Sequence, residues 1–221
     1  MRQNVDPKMI ENTMLKGTTT VGMVCKDGVV LATDTRVTAG GYIAHRQGKK
    51  VYQIDKHLGM TIAGVVADAQ DIVEVLKANT RIFQLEKDRP MPVSAATRLT
   101  ANMLFQYRGA LMVQALVGGV DDTGPHLFSI DPLGSVSEES CIATGSGSPV
   151  AYGVLESQFH EGLTVQEGIV VAAQAIFSAM KRNAYTGDSF AVVVIDESGY
   201  RELTEIEKES IEAAGIRIQQ I

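Results

Sequence analysis

Apolar and polar positions along the first half of the chain predict four strands followed by two helices. Thr18 to Asp34 contains the apolar stretches TTTVGMVC and VVLATD around a Lys-Asp-Gly turn, which predicts a β-hairpin. A second hairpin is predicted for KKVYQID and GMTIAGV. Apolar residues at helical spacing then predict one helix over 68–87 and another that begins after two prolines, with Ser94 as its N-cap.

The second half of the chain repeats this order of elements. Strands are predicted for LMVQALVGGV, HLFSID and SVSEESCIAT, then two helices, a final hairpin of SFAVVVID with YREL, and a short last helix. For the first helix we predict Ser148 as N-cap, Pro149 as first helical residue and an end at Gly162. A capping box of Thr164 with Glu167 is predicted for the second helix, and one of Thr204 with Glu207 for the last.

Grouped strands followed by grouped helices differ from the strict alternation that is typical of a parallel α/β sheet. We therefore predict an α+β fold, a four-layer αββα sandwich of two antiparallel sheets between helical layers. A length of 221 residues suits one large domain with a sizeable core.

Composition excludes several classes of function. The net charge of -6 and the absence of clustered Lys and Arg argue against a nucleic-acid partner. Two distant cysteines and four scattered histidines indicate neither a disulfide framework nor a metal site, so we expect no metal and no cofactor. No stretch has the ~18 apolar residues of a membrane span and no signal peptide is evident, so we expect a cytoplasmic protein without a membrane partner.

The stretch GTTTVG has two interpretations. Threonine is common in strands, so the three threonines can be purely structural. If the Gly17–Thr18 bond were cut, however, Thr18 would carry a hydroxyl nucleophile and a free α-amine, whose reference pKa of about 7.7–8.0 lets it accept a proton near neutral pH. Gly17 can adopt the strained backbone that brings the hydroxyl to its carbonyl, so Thr18 could make the cut itself.

Further motifs favour the chemical interpretation, because the chain from Gly17 to about Gly187 resembles a proteasome β subunit of the archaeal kind. The matching stretches are GTTTVG, ATDTRVT, GKKVYQI, MTIAGVVAD, MVQALVGGVD, TGSGSPVAYGVLE and MKRNAYTGD. The resemblance implies the fold of the N-terminal-nucleophile hydrolases, which is the four-layer sandwich predicted above. It also implies a threonine endopeptidase made as a zymogen and activated by autocatalytic cleavage.

The resemblance implies a role for each residue that matches a family motif. Thr18 corresponds to the nucleophile, Lys50 to a buried lysine beside it, and Asp34 to the carboxylate that pairs with this lysine. Gly64 corresponds to the glycine whose N–H stabilises the oxyanion. Ser146 corresponds to a serine that hydrogen-bonds the terminal amine.

The resemblance also implies a processed chain and a substrate pocket. Residues 1–17 would be a propeptide, and 18–221 the single catalytic domain. The positions that line the first specificity pocket in the family are Val37, Gly48, Tyr52, Ile62 and Val66. They include no acidic residue, so we expect cleavage after large hydrophobic residues.

The match departs from the family at the stretch KRNAYTGD. Asn183 stands where the family usually has an aspartate, and Thr186 where a serine is usual. The Asn183 amide can hydrogen-bond but supplies no charge. We therefore expect a competent site with a slower proton relay and less efficient self-processing.

The resemblance finally implies a closed particle that degrades unfolded polypeptides. Its heptameric β rings would be flanked by rings of α subunits and served by an ATP-dependent unfoldase. Two alternatives remain open. One is a ring-forming structural β subunit with weak or no activity, and the other is a different N-terminal-nucleophile hydrolase, such as a small-molecule amidase or a simpler bacterial two-ring protease.

Overall fold

The computed structural model describes residues 17–107 and 111–218, without the side chains of 66–67 and 212–218. This part of the chain forms twelve strands and five helices. The strands are β1 (Thr19–Cys25), β2 (Gly28–Asp34), β3 (Val37–Ala39), β4 (Tyr42–His45), β5 (Val51–Asp55), β6 (Leu58–Gly64), β7 (Val113–Asp121), β8 (Gly124–Ile130), β9 (Val136–Glu138), β10 (Cys141–Gly145), β11 (Phe190–Asp196) and β12 (Gly199–Glu202). The helices are α1 (Val66–Lys87), α2 (Val93–Gln106), α3 (Ser148–Gln158), α4 (Val165–Arg182) and α5 (Glu205–Ile218).

Ten strands form two antiparallel sheets of five. The first sheet has the order β10-β1-β2-β11-β12 and the second β5-β6-β7-β8-β9, while β3 and β4 form a separate hairpin. Each strand runs antiparallel to its neighbours. The starts of β1, β5 and β7 therefore lie at the same edge of the sandwich as the ends of β2, β6 and β10.

Three layers of apolar side chains hold the sandwich together. Between the sheets lie fully buried residues such as Leu31, Leu116 and Val193. Helices α3 and α4 cover the outer face of the first sheet, and α1 and α2 cover the outer face of the second. Since apolar side chains fill the space on both faces of each sheet, the predicted four-layer αββα sandwich is confirmed.

Strand SVSEESCIAT, predicted as one element, is two strands in different sheets. Strand β9 pairs with β8 in the second sheet, whereas β10 pairs with β1 in the first. The chain crosses between the sheets at 139–140. The short hairpin of β3 and β4 was not predicted, because its strands are mostly exposed and lack an apolar face.

Several helix boundaries differ from the prediction, and α1 begins at Val66, two residues before the predicted start. Helix α2 begins at Val93 with Pro92 at the N-cap position, so Ser94 is not the cap. The Asp121 carboxylate accepts a hydrogen bond from the Val93 N–H at 3.0 Å, and this contact between distant segments leaves no need for a local cap. Helix α3 has Gly147 at its N-cap position, so Ser148 is its first helical residue and not its cap, and it ends at Gln158, before the predicted Gly162, because Phe159 is extended.

The starts of α4 and α5 agree with the prediction, since each has the predicted capping box. In α4 the Thr164 side chain accepts from the Glu167 N–H, and the Glu167 carboxylate accepts from the Thr164 N–H. Thr204 and Glu207 make the same pair of contacts at the start of α5.

None of the five helices in the described part of the chain has the length and apolar character of a membrane-spanning helix.

We expect Leu116→Ala to lower the free energy of unfolding by about 3–5 kcal/mol, because it opens a cavity between the two sheets. Leu85→Ala is the matched control, since Leu85 is 70% exposed on α1 and its truncation costs about 0.5 kcal/mol or less. Urea denaturation of the isolated subunit measures both values. Equal losses in the two variants would contradict the position of Leu116 at the centre of the sandwich.

Candidate active site

Thr18 immediately precedes β1, at the edge of the first sheet where β1 begins and β2 and β10 end. Its side chain lies beside the peptide bond that joins it to Gly17. The Thr18 hydroxyl donates to the Gly17 carbonyl oxygen at 2.5 Å, and the Lys50 Nζ donates to the same oxygen at 2.9 Å. Two donors thus meet at one carbonyl, and each draws electron density away from its carbon.

Gly17 lies where no other residue fits without strain. Its φ is 152°, and a Cβ at this position would overlap the Thr38 Oγ1. Both the backbone angle and the close approach of Thr38 therefore require glycine.

Lys50 and Asp34 form an ion pair beside this carbonyl. The Lys50 Nζ lies 2.9 Å from the Asp34 Oδ1, and the exposed fractions of the two side chains are 7% and 0%. Burial lowers the pKa of Lys50 below its usual value, although the Asp34 charge and hydrogen bond oppose this shift. The ion pair uses one N–H of the Lys50 ammonium, so another N–H can donate to the Gly17 carbonyl oxygen.

Asp34 also accepts three backbone hydrogen bonds. The Thr19 N–H donates to its Oδ1 at 2.9 Å, and the N–H groups of Arg36 and Gly187 donate to its Oδ2 at 3.1 and 3.0 Å. With Lys50, four donors satisfy this fully buried carboxylate. Its charge is therefore compensated without water.

Ser146 lies on the other side of Thr18, in a network with Asn183. The Ser146 N–H donates to the Thr18 carbonyl oxygen at 2.8 Å. The Ser146 hydroxyl donates to the Asn183 Oδ1 at 3.1 Å, and the Asn183 Nδ2 donates to the Ser146 carbonyl oxygen at 2.8 Å. The Asn183 Oδ1 also accepts from the Tyr185 N–H and the Thr186 hydroxyl. Asn183 thus makes both kinds of bond that its amide allows.

A cleft of about 830 Å³ opens beside Thr18. Gly64 lines it at the end of β6, with a φ of 146° and with the Met112 carbonyl oxygen where a Cβ would lie. The apolar side chains of Val37 and Ile62 also line this cleft.

The other predicted pocket residues have different positions. Tyr52 lines the cleft, whereas Gly48 lies behind Val37, whose Cγ2 occupies the place of a Gly48 Cβ. The side chain of Val66 lies outside the described residues, as do residues 1–16 of the predicted propeptide.

An ionic cluster that the sequence analysis missed supports this site. Asp188 accepts from the Arg36 Nε at 2.7 Å and from Arg46 at 2.8 Å, and Arg36 also donates to the Ala184 carbonyl oxygen. The hydrogen bond from Arg36 lowers the pKa of Asp188 below its usual value. These bonds join the loop after α4 to the end of β2. The only signal was an Arg in ATDTRVT and an Asp in YTGD, both inside site motifs.

We expect Lys50→Met to lower the free energy of unfolding of the isolated subunit by about 3–5 kcal/mol, because it leaves the Asp34 charge buried without its ionic partner. Lys49→Met is the matched control, since the adjacent Lys49 is exposed and its Nζ lies over the Tyr52 ring, a contact worth about 1 kcal/mol or less. The double variant Lys50→Met with Asp34→Asn should lose less than Lys50→Met alone. Urea denaturation measures all three, and equal losses for Lys49 and Lys50 would contradict this account.

Comparison with known proteins identifies the family. The proteasome subunit family matches residues 14–195. A proteasome subunit beta of Methanohalophilus mahii is 48% identical over 191 residues, which cover 86% of this chain and 91% of that protein. A proteasome subunit beta of Ferroglobus placidus is 48% identical over 205 residues, covering 92% and 98%, and proteasome subunit beta 2 of Nitrosopumilus maritimus is 45% identical over 203 residues, covering 91% and 97%. The chain therefore belongs to the proteasome family, as a β subunit of the archaeal type.

Proposed function

We propose that this β subunit is a threonine endopeptidase of the proteasome core particle, which cuts unfolded polypeptides with the Thr18 hydroxyl after self-cleavage at Gly17–Thr18. The observation that carries the proposal is the convergence of the Thr18 hydroxyl and the Lys50 Nζ on the Gly17 carbonyl oxygen. A structural threonine at the start of a strand needs neither contact.

The first reaction of this proposal is the release of residues 1–17. The Thr18 Oγ1 adds to the Gly17 carbonyl carbon, while Lys50 stabilises the negative charge that develops on the oxygen. The C–N bond then breaks, the hydroxyl proton passes to the Thr18 nitrogen, and an ester joins Gly17 to the Thr18 oxygen. Water hydrolyses this ester, which frees both the hydroxyl and the amine of Thr18.

In the second reaction the free amine serves as the base. It takes the hydroxyl proton as the Thr18 Oγ1 adds to a substrate carbonyl, and it gives that proton to the leaving amine. Water then hydrolyses the acyl-enzyme ester by the same proton transfers in reverse order. The Lys50 ammonium favours the ionised hydroxyl, and the charge and hydrogen bond of Asp34 oppose the lowering of the Lys50 pKa that burial causes.

Gly64 is the proposed oxyanion donor. It lines the same cleft as Thr18. A backbone N–H in this role supplies about 3–4 kcal/mol of transition-state stabilisation.

Ser146 is proposed to relay protons to and from the Thr18 amine. Its hydroxyl lies 3.4 Å from the Thr18 carbonyl oxygen and is oriented by Asn183. Because Asn183 is neutral, the relay in this subunit lacks the charge that would favour the protonated amine.

Large hydrophobic residues are the proposed substrate residues before the cut. Val37, Tyr52 and Ile62 give one side of the cleft an apolar surface. Such a surface favours an apolar side chain because burying it removes apolar area from water.

Proteasome β subunits assemble with other subunits into a core particle. For this chain we propose heptameric β rings between α-subunit rings, with an ATP-dependent unfoldase as regulator and unfolded chains as substrates. The cytoplasm is the compartment in which that particle would work.

A ring-forming structural subunit with weak or no activity is the second candidate. Asn183 is the observation that favours it, because the family usually has an aspartate there. The intact set of Thr18, Lys50, Asp34 and Ser146 favours the active enzyme.

We expect Thr18→Ala to abolish peptide hydrolysis and to retain residues 1–17, because alanine has no hydroxyl to act as the nucleophile in either reaction. The subunit is co-expressed with an archaeal α subunit, and the assembled particle is analysed by mass spectrometry and with fluorogenic peptides. Thr123→Ala is the control, since Thr123 lies in the turn after β7, at the far end of that strand. Equal hydrolysis by Thr18→Ala and wild type would overturn the proposal, and a wild type that keeps residues 1–17 would favour the structural subunit.

We expect Asn183→Asp to hydrolyse peptides faster at alkaline pH and to move the acidic limb of the pH profile upward. A carboxylate near the Thr18 amine raises the pKa of that amine, which makes it a stronger base but requires a higher pH to free it of its proton. Asn102→Asp is the matched control on the exposed face of α2. If neither the rate nor the limb changes, the amide network of Asn183 already replaces the charge.

A further inference from the structure

The two sides of the Thr18 cleft differ in chemistry. In the first sheet β1 lies between β2 and β10, and in the second sheet β6 lies between β5 and β7. Strands β2 and β5 contact each other on one side of Thr18, and β10 and β7 contact each other on the opposite side. Val37 and Tyr52, next to β2 and on β5, give the first side its apolar surface, which Thr38 and Lys49 border, whereas Ser146 and Gln114 give the second side polar groups.

Gln114 is the second residue of β7 and pairs with Ala63 of β6. Its neighbours Val113 and Ala115 are fully buried beneath the helices that cover the second sheet. Because successive side chains of a strand point to opposite faces, Gln114 points toward the first sheet, where the next residue on that face, Leu116, belongs to the apolar layer between the sheets.

The Gln114 carboxamide is available to a ligand. The residue is half-buried and lines the same cleft as Thr18 and Gly64. Within the described residues its side chain makes no hydrogen bond. A carboxamide offers two donor hydrogens and one acceptor oxygen, so it can bind either kind of polar group.

The sheet order also indicates which part of a substrate lies near Gln114. In the proposed function, the acyl part of a peptide, before the cut, occupies the apolar side formed by Val37 and Tyr52, and its carbonyl carbon lies at the Thr18 hydroxyl. The chain after the cut must then continue to the opposite side, between β10 and β7. Ser148, at the start of α3, also lines the cleft and adds another hydroxyl.

We propose that Gln114 is a specificity-determining residue for the substrate residue directly after the cleaved bond, where it favours a polar side chain by hydrogen bonding. This inference rests on the proposed endopeptidase function. One hydrogen bond between neutral groups favours Asn or Ser over Leu at that position by about threefold to tenfold in kcat/KM.

The test compares peptides that are identical before the cut and carry Asn, Leu, Lys or Glu directly after it. Assembled particles with wild-type subunit, Gln114→Leu and Gln114→Glu are assayed by mass spectrometry of the products. We expect Gln114→Leu to lose the preference for Asn over Leu. Gln114→Glu should gain a preference for Lys over Glu, because its carboxylate attracts a cation and repels an anion.

The residue before the cut provides the internal reference, because the opposite side of the cleft binds it. A change of preference confined to the residue after the cut supports the inference. Thr18-dependent cleavage with the same preference in all three particles overturns it and leaves the endopeptidase function intact. Failure of wild-type particles to cleave any peptide, while Thr18→Ala behaves identically, overturns both.

Discussion

The buried contact between Lys50 and Asp34 is the interaction on which the arrangement around Thr18 depends. An ammonium and a carboxylate leave water at considerable cost, so both need partners inside the protein. Asp34 finds its partners in Lys50 and in three backbone N–H groups, and Lys50 finds its second partner in the Gly17 carbonyl. The requirement to compensate one buried charge thus positions the cation at the carbonyl beside the Thr18 hydroxyl.

The sandwich supplies the place for this contact. Antiparallel pairing brings the start of β1 and the end of β2 to one edge of the first sheet, and the start of β5 and the end of β6 to the same edge of the second. Thr18, Asp34, Lys50 and Gly64 flank these four strand ends, so residues up to 46 positions apart in the sequence meet at one cleft. The apolar layers pack beneath this edge, and the pairing of the strands is enough to bring these four residues together.

Most of the fold could be predicted from local patterns, because each strand and helix has its own periodicity and turn residues. Two kinds of feature could not be predicted from local patterns, because they depend on contacts between distant segments. The cap of α2 is the carboxylate of Asp121, a residue 28 positions away, and the division of SVSEESCIAT between two sheets depends on which neighbours each half finds. Gln114 could not be singled out either, since only the pairing of β7 with β6 places it beside Thr18. Thr18, Lys50 and Asp34 were recognised because their motifs resemble a family, while their spacing alone has no periodicity that indicates a site.

Four segments of the chain donate hydrogen bonds to Asp34, from Thr19 near the beginning to Gly187 near the end. A ribosome must therefore release nearly the whole polypeptide before this carboxylate can be fully satisfied. The contacts around Thr18 are consequently complete only when the tertiary structure is complete, so a partly synthesised chain lacks the arrangement that the proposed peptidase activity requires.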